Sequence, residues 1–208
     1  MKYRLLALSG LAVSLAMGAA ACSSGGASTS APPAASTSAP MASTSAPAAA
    51  ADFGPGCSSV PRSGAGSFSG MATAPVATAA SANPVLSTLV TAVQKAGLVD
   101  TLNAAPGITV FAPDNSAFAK IPASTLNSVL ANKAELTKIL TYHVVSGRYT
   151  PAQLASGKAL KTLEGGMITP ALKDGTYTIN GASVVCGNVQ TANATVYIIS
   201  SVLMPSSS

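Results

Sequence analysis

The chain of 208 residues contains no tryptophan, a single histidine and only six acidic residues. One histidine cannot build a zinc site by itself, because such sites take three or four protein ligands. The acidic residues are scattered, without the pair of carboxylates that glycoside hydrolysis requires. Neither a P-loop nor a Gly-x-Ser-x-Gly nucleophile elbow is present. We therefore expect no enzymatic activity, no metal and no cofactor.

Basic residues are also few, 11 in all, and they form no run. Two of them, Lys2 and Arg4, lie in the N-terminal segment 1–21. The rest of the chain therefore carries nine basic and six acidic residues. Nucleic-acid-binding proteins carry a clustered basic surface, so we expect no nucleic-acid partner. After the N-terminal segment no apolar run is long enough for a transmembrane helix.

Residues 1–21 have the layout of a secretory signal peptide. Lys2 and Arg4 precede an uncharged apolar run, Leu5 to Met17, and small residues follow it up to position 21. The apolar run is short for a helix that spans a bilayer. These features predict export of everything that follows.

Cys22 stands directly after the small residues. This placement resembles the lipobox of bacterial lipoproteins, in which the cysteine is acylated. The resemblance implies lipidation at Cys22 and an extracytoplasmic protein anchored by lipid to the cell membrane or cell surface, with part of it shed or secreted. Ordinary secretion with cleavage near Ala21 is the alternative.

Three cysteines are present, and setting Cys22 aside leaves Cys57 and Cys186 as an even pair. In an exported protein such a pair predicts a disulfide, here closing a loop of about 130 residues. Two free thiols are the alternative, which an oxidising compartment disfavours.

Residues 22–51 are predicted to be a lipidated, disordered linker rich in Ser, Thr, Ala and Pro. The hexapeptide ASTSAP occurs in it three times, at positions 27–32, 35–40 and 42–47. Almost no large apolar side chains are present, so burial cannot offset the entropy cost of ordering the segment. The composition is also typical of O-glycosylated stalks, with candidate acceptors at Thr29, Thr37 and Thr44. An unmodified spacer explains the composition equally well.

An ordered domain is predicted over residues 71–205, between a Gly- and Ser-rich lead-in segment, 52–70, and a short tail, 206–208. Asn83-Pro84 is typical of a helix start, and apolar residues recur behind it at helical spacing until Gly97. A short strand at 108–113 and a capped helical turn follow. Two amphipathic helices are predicted after them, over 124–131 and 134–141.

The second half of the domain has β-type patterns. Apolar or β-branched runs occur at 160–163, 167–172, 176–179, 183–186 and 195–203. Asp174-Gly175 and Asn180-Gly181 are strong hairpin signals between them. Residues 193–195 match the N-glycosylation sequon, which we interpret as coincidence inside a predicted strand. Helices first and hairpins last predict an α+β fold.

Three segments together resemble the signature boxes of the fasciclin (FAS1) domain family. They are residues 109–118 (TVFAPDNSAF), residues 139–147 (ILTYHVVSG) and residues 193–205 (NATVYIISSVLMP). Their order and spacing also fit the family, and the segment around Cys57 is similar to the mycobacterial surface lipoproteins and secreted antigens within it. The resemblance implies the FAS1 fold, with N-terminal helices packed on a β-sandwich or wedge of short, mostly antiparallel strands.

In this family the first box and the Tyr-His segment are associated with adhesion. The resemblance therefore implies a non-enzymatic, monomeric surface protein that contacts a host cell-surface or matrix protein, with the lipid contacting the membrane. Most of the apolar residues in the boxes are expected to be core. The candidate partner contacts are Asp114, Asn115, Tyr142, His143 and Arg148.

Two other functions stay open. A carrier of small molecules or lipids would need a deep apolar pocket of several hundred Å³, as is usual for ligand sites. An envelope hydrolase would need other reactive groups around His143, whereas a structural His143 would bond a backbone carbonyl and lock the junction between helix and strand.

Overall fold

The computed structural model describes residues 51–205. The signal segment, the lipidation candidate Cys22 and the linker threonines Thr29, Thr37 and Thr44 lie outside the described residues. Among the described residues, no helix combines the length and the apolar character needed to cross a bilayer.

The described residues contain eight α-helices and two 3-10 turns, and most of the helices lie in the first half of the domain. The 3-10 turns are Pro55–Ser59 and Pro84–Leu86. The helices are α1 Phe68–Ala72, α2 Val76–Ser81, α3 Ser87–Ala96, α4 Val99–Ala104, α5 Asn115–Ala119, α6 Ala123–Ala131, α7 Lys133–Tyr142 and α8 Pro151–Ala155.

Eight strands complete the described part of the chain. They are β1 Ile108–Pro113, β2 Val144–Ser146, β3 Leu160–Lys161, β4 Met167–Ile168, β5 Pro170–Lys173, β6 Thr176–Ile179, β7 Ala182–Gln190 and β8 Ala194–Ile199. Six of them form one curled sheet in the order β2-β1-β8-β7-β6-β5, and β3 pairs with β4 in a separate hairpin. The predicted α+β class is confirmed.

The centre of the sheet is a parallel pair, β1 beside β8, whereas the other strand pairs are antiparallel. Ile108 lies opposite Ala194, and the register continues without a break to Pro113 opposite Ile199. All six residues of each strand are buried, because both faces of the sheet are covered here.

Side chains alternate between the two faces and divide the core in two. Val110 and Val196 pack against the helices α1–α4 and α7, in a first cluster. Phe111 and Tyr197 point the other way and stack at 5.9 Å between ring centroids, in a second cluster inside the curl of the sheet.

The helix starts predicted from the sequence are confirmed. The Asn83 side chain accepts a hydrogen bond from the Val85 N–H (3.1 Å) at the turn that leads into α3, and this helix ends before Gly97. The two later predictions match α6 and α7 within about one residue at each end. Side-chain caps at Asn83 and Asn132 account for two of these starts, since the first turn of a helix needs acceptors for its free N–H groups, whereas α6 has no side-chain cap.

Both predicted hairpin turns are present, and their residue pairs Asp174-Gly175 and Asn180-Gly181 all have positive φ. The predicted strand 167–172 is wrong as a single strand, because it divides into β4 and β5. Pro170 starts β5 and has no N–H for a continued ladder. The predicted strand 195–203 ends early, at Ile199. The chain then bends so that Leu203 reaches the core.

The lead-in segment 52–70 packs on the bulged part of β7. Phe53 and Gly187 exchange two backbone hydrogen bonds, of 3.2 and 2.7 Å. A Cβ at Gly187 would collide with the Phe53 ring, so a larger residue there would displace this ring. Cys57 forms a disulfide with the fully buried Cys186 next to Gly187. The folded unit therefore includes residues ahead of Met71.

Removing the disulfide should destabilise the domain. The cysteines are 129 residues apart, so without the bond the unfolded chain gains much conformational entropy. For the double variant Cys57→Ala, Cys186→Ala we expect a loss of about 2–5 kcal/mol in the free energy of unfolding, measured by urea denaturation. Dithiothreitol should lower the wild-type midpoint and leave that of the variant unchanged. An unchanged midpoint in the double variant would contradict the expectation.

Candidate functional site

The first box contains two polar side chains, Asp114 and Asn115, that form hydrogen bonds within the domain. Asp114 is half-buried and caps α5, accepting hydrogen bonds from the Ala117 N–H and the Ser116 hydroxyl, both at 2.6 Å. Its neighbour Asn115 is also half-buried and accepts from the Thr88 N–H (3.0 Å) at the start of α3. Both side chains are therefore used within the domain, since Asp114 caps its own helix and Asn115 contacts α3.

Tyr142 is 5% exposed, and its hydroxyl lies inside a hydrogen-bonded chain. The hydroxyl donates to the Met167 carbonyl (2.9 Å) and accepts from the Asn180 side-chain amide (3.0 Å). It thereby joins the end of α7 to the β3–β4 hairpin and to the turn before β7. The expectation that Tyr142 contacts a partner directly is corrected here, because its ring and hydroxyl are buried.

His143 is 3% exposed, and both ring nitrogens are occupied by backbone groups. The Leu203 N–H donates to Nε2 (2.9 Å), so the proton lies on Nδ1, which donates to the Ile139 carbonyl (2.8 Å). Burial lowers the pKa of His143 to about 4, against a smaller raising effect of the Ile139 carbonyl. The ring is therefore neutral at pH 7 and cannot contact a partner at the surface, so that expectation is corrected too.

Across residues 51–205, no three His, Cys, Asp or Glu side chains come close enough to hold a metal ion. In the same residues every buried side-chain nitrogen and oxygen has a hydrogen-bond partner.

Arg148 is the one candidate contact residue whose side chain is exposed. Its guanidinium donates to the carbonyls of Thr191 (3.0 Å) and Ala192 (2.7 Å), in the turn between β7 and β8. Arg148 lies near the start of β1 and Asp114 follows its end. A six-residue strand separates them by about 20 Å. The candidate contact residues therefore do not form one patch.

The sequence also matches a known protein family. The sequence profile described as "Fasciclin domain" matches residues 84–205. The chain belongs to the fasciclin family. This confirms the resemblance based on the three boxes, and the first box, the Tyr-His segment and the closing box all lie inside the matched fasciclin domain.

Several curated relatives match over most of the chain. The immunogenic protein MPB70 of Mycobacterium bovis is 47% identical over 160 residues, which cover 73% of this chain and 81% of that protein. The cell surface glycolipoprotein MPB83 of the same species is 46% identical over 165 residues, which cover 75% and 74%. Protein sll1483 of Synechocystis is 45% identical over 128 residues, which cover 61% and 71%.

A solved structure matches the fold. The FAS1 domain pair of the insect cell adhesion molecule fasciclin I superposes with a TM-score of 0.54 at 20% identity. The match covers 65% of this chain and 52% of that one, so the present chain spans about half of the domain pair. At this identity the likeness concerns the fold of the fasciclin domain.

Asn193 connects three segments of the domain by hydrogen bonds, a role that the sequence did not predict. Its side-chain nitrogen donates to three backbone carbonyls, those of Leu102 (2.7 Å), Asn103 (3.2 Å) and Ala105 (2.9 Å). Its side-chain oxygen accepts from the Val76 N–H (2.8 Å). One amide thus holds the start of α2 and the end of α4 against β8. The only local sequence signal at Asn193 was the sequon at 193–195. Its side-chain nitrogen, the atom that a glycan would modify, is bonded to the three carbonyls.

Exchanging the Asn193 amide for a carboxylate should destabilise the fasciclin domain strongly. In Asn193→Asp three donor bonds are lost and a negative charge faces three carbonyl oxygens. We expect a loss of at least about 3 kcal/mol in unfolding free energy by urea denaturation. The matched control is Asn132→Asp, since Asn132 caps α7 by accepting from the Glu135 N–H and Asp caps equally well. Equal effects of the two changes would refute this role of Asn193.

The pH dependence of His143 follows from its burial. Its pKa is about 4 in the folded domain and about 6.5 in the unfolded chain, so the unfolded state binds the proton more readily. The contribution of His143 to stability is complete above pH 6.5 and falls by up to about 3 kcal/mol as the pH drops to 4. His143 is the only histidine, so its ring signal in a 1H–13C NMR titration is unambiguous. A titration midpoint near 6.5 in the folded protein would disprove the expectation.

Proposed function

We propose that this chain is a non-enzymatic lipoprotein of the cell surface, which presents its fasciclin domain for adhesion to a host cell-surface or matrix protein. Support for the surface location comes from the relatives, one of which is named a cell surface glycolipoprotein. Support for the lipid comes from Cys22, directly after the small residues of the signal segment. The linker 22–51 would then supply reach between membrane and domain.

The state of His143 supports a function without catalysis. A general base must offer a nitrogen to the substrate, and both nitrogens of this ring are bonded to backbone groups. The lowered pKa also keeps the ring from acting as an acid near neutral pH. These contacts argue against the alternative of an envelope hydrolase.

The β3–β4 hairpin is the contact surface that we propose. Leu163 and Met167 are 46% and 53% exposed, and this hairpin carries two of the four large apolar side chains that are exposed among residues 51–205. A hairpin whose backbone is held in place in the free protein is well suited to present apolar anchors to a protein partner, because little backbone entropy is lost on binding.

Three contacts hold this hairpin in place. Tyr142 donates from its hydroxyl to the Met167 carbonyl, and the Leu163 N–H donates to the Val144 carbonyl (2.8 Å). The Lys138 ammonium lies 3.9 Å from the Glu164 carboxylate at the hairpin tip. In this proposal the Tyr-His segment supports adhesion indirectly, by positioning the hairpin rather than by touching the partner.

The contact surface can be tested with two matched double variants of the full-length protein. Leu163→Gln with Met167→Gln removes the proposed anchors and should weaken binding to cells or immobilised matrix proteins by about tenfold or more. Leu172→Gln with Met204→Gln removes the same residue types at similar exposure, 44% and 49%, and should leave binding within about twofold. Equal losses in the two double variants, or none in either, would exclude the hairpin as the contact surface.

The lipid is tested separately by intact mass spectrometry of the mature protein. We expect the mass of a chain beginning at Cys22 plus acyl groups, and a Cys22→Ser variant should lose both the added mass and membrane association. Glycans on Thr29, Thr37 or Thr44 would add hexose increments in the same spectrum. An unacylated wild-type N-terminus would rule out the lipoprotein. Binding that persists in Cys22→Ser would assign adhesion to the domain rather than to the lipid.

A further inference from the structure

The interface between the helices α2, α3 and α4 and the sheet is not filled. A cavity of about 150 Å³ lies there. Its floor is formed by Val110, Val196 and Ile198 of the central strands, and its walls by helix residues such as Leu89, Val93 and Leu102. An unfilled apolar cavity destabilises a protein in proportion to its volume, because the lining atoms lose contacts that a filled site would supply.

The buried polar side chains that border the cavity, Asn83, His143 and Thr191, are satisfied by the protein itself. His143 is bonded to Ile139 and Leu203, and the Asn83 oxygen accepts from the Val85 N–H. The Thr191 hydroxyl donates to the Ala194 carbonyl at 3.0 Å. A polar or charged ligand in the interior of the cavity would therefore lose its hydration without gaining a hydrogen bond from these buried side chains, which is strongly unfavourable. The chemistry of the lining selects an apolar ligand.

The cavity reaches the surface between α2 and α3. Exposed residues on both helices belong to its lining, namely Thr78 and Ser81 of α2 and Gln94 of α3. Helix α2 has the sequence VATAAS, and its short side chains leave room at this mouth. A small molecule can therefore enter without unfolding of the domain.

The volume restricts the ligand further. Pockets for drug-sized molecules measure about 300–1,000 Å³, so neither a complete lipid nor a long acyl chain fits. An apolar cavity of about 150 Å³ accepts molecules of the size of benzene. We propose that this cavity is a binding site for a small, uncharged apolar molecule of about one ring. The site goes beyond adhesion and does not depend on it.

The first test is a benzene titration of the mature full-length protein, followed by methyl 1H–13C NMR. Saturable shifts should be confined to lining residues such as Leu89, Val93 and Val196. Leu154 and Ile179, which lie in the second core cluster, should not shift. Benzene at ten times its Kd should also raise the folding equilibrium constant about elevenfold, measured by urea denaturation. The absence of saturable shifts up to the solubility of benzene, or equal shifts in both clusters, would overturn the proposal.

The second test fills the cavity. Ala80 is a half-buried lining residue, so Ala80→Leu should weaken benzene binding by at least tenfold, whereas Ala131→Leu on the exposed face of α6 should keep the wild-type Kd. Val99→Phe fills the cavity from α4 and replaces Ala80→Leu if that variant does not fold. Wild-type affinity in a folded cavity-filling variant would place benzene elsewhere. Competition between benzene and palmitate would overturn the size restriction, and its absence would support it.

Discussion

The parallel pairing of β1 with β8 is the constraint on which the rest of the domain depends. These strands are 86 positions apart, from Ile108 to its partner Ala194, so the pairing forms only when the whole chain between them has returned to the same place. It creates the two buried faces, since Val110 and Val196 face the helices while Phe111 and Tyr197 face the interior of the curl. Both clusters of the core are therefore defined by one pair of strands.

Short polar side chains then fix the loops and helices around this pair. Asn115, Asn193 and His143 each bond backbone groups from segments distant in sequence, with lengths between 2.7 and 3.2 Å for these contacts. Buried polar groups of this kind specify one arrangement, because any shift leaves donors or acceptors unsatisfied. These polar residues of the signature boxes thus make connections within the domain.

Local chemistry explains which parts of the fold could be predicted from the sequence. Asn83-Pro84 and the turn pair Asn180-Gly181 act within a few residues, and the structure has the predicted features at both places. Helices α2 and α4 lack such signals, and β7 continues past its predicted end through two register shifts near Cys186. The contacts of Asn193 join positions 88–117 residues apart. Tertiary contacts of this kind leave no pattern in a single sequence, nor does a cavity.

The disulfide at the bulge of β7 has a mechanical consequence. A pulling force that arrives along the chain from residue 51 passes Cys57 and can cross the sulfur–sulfur bond directly to Cys186. All eight described helices, α1–α8, and strands β1–β6 lie inside the loop that this bond closes. Tension is therefore transmitted into β7 through a covalent bond. On the N-terminal side, only the described residues ahead of Cys57 lie before this bond on the path of the force. A load applied from the N-terminal side therefore bypasses the helices inside the disulfide loop.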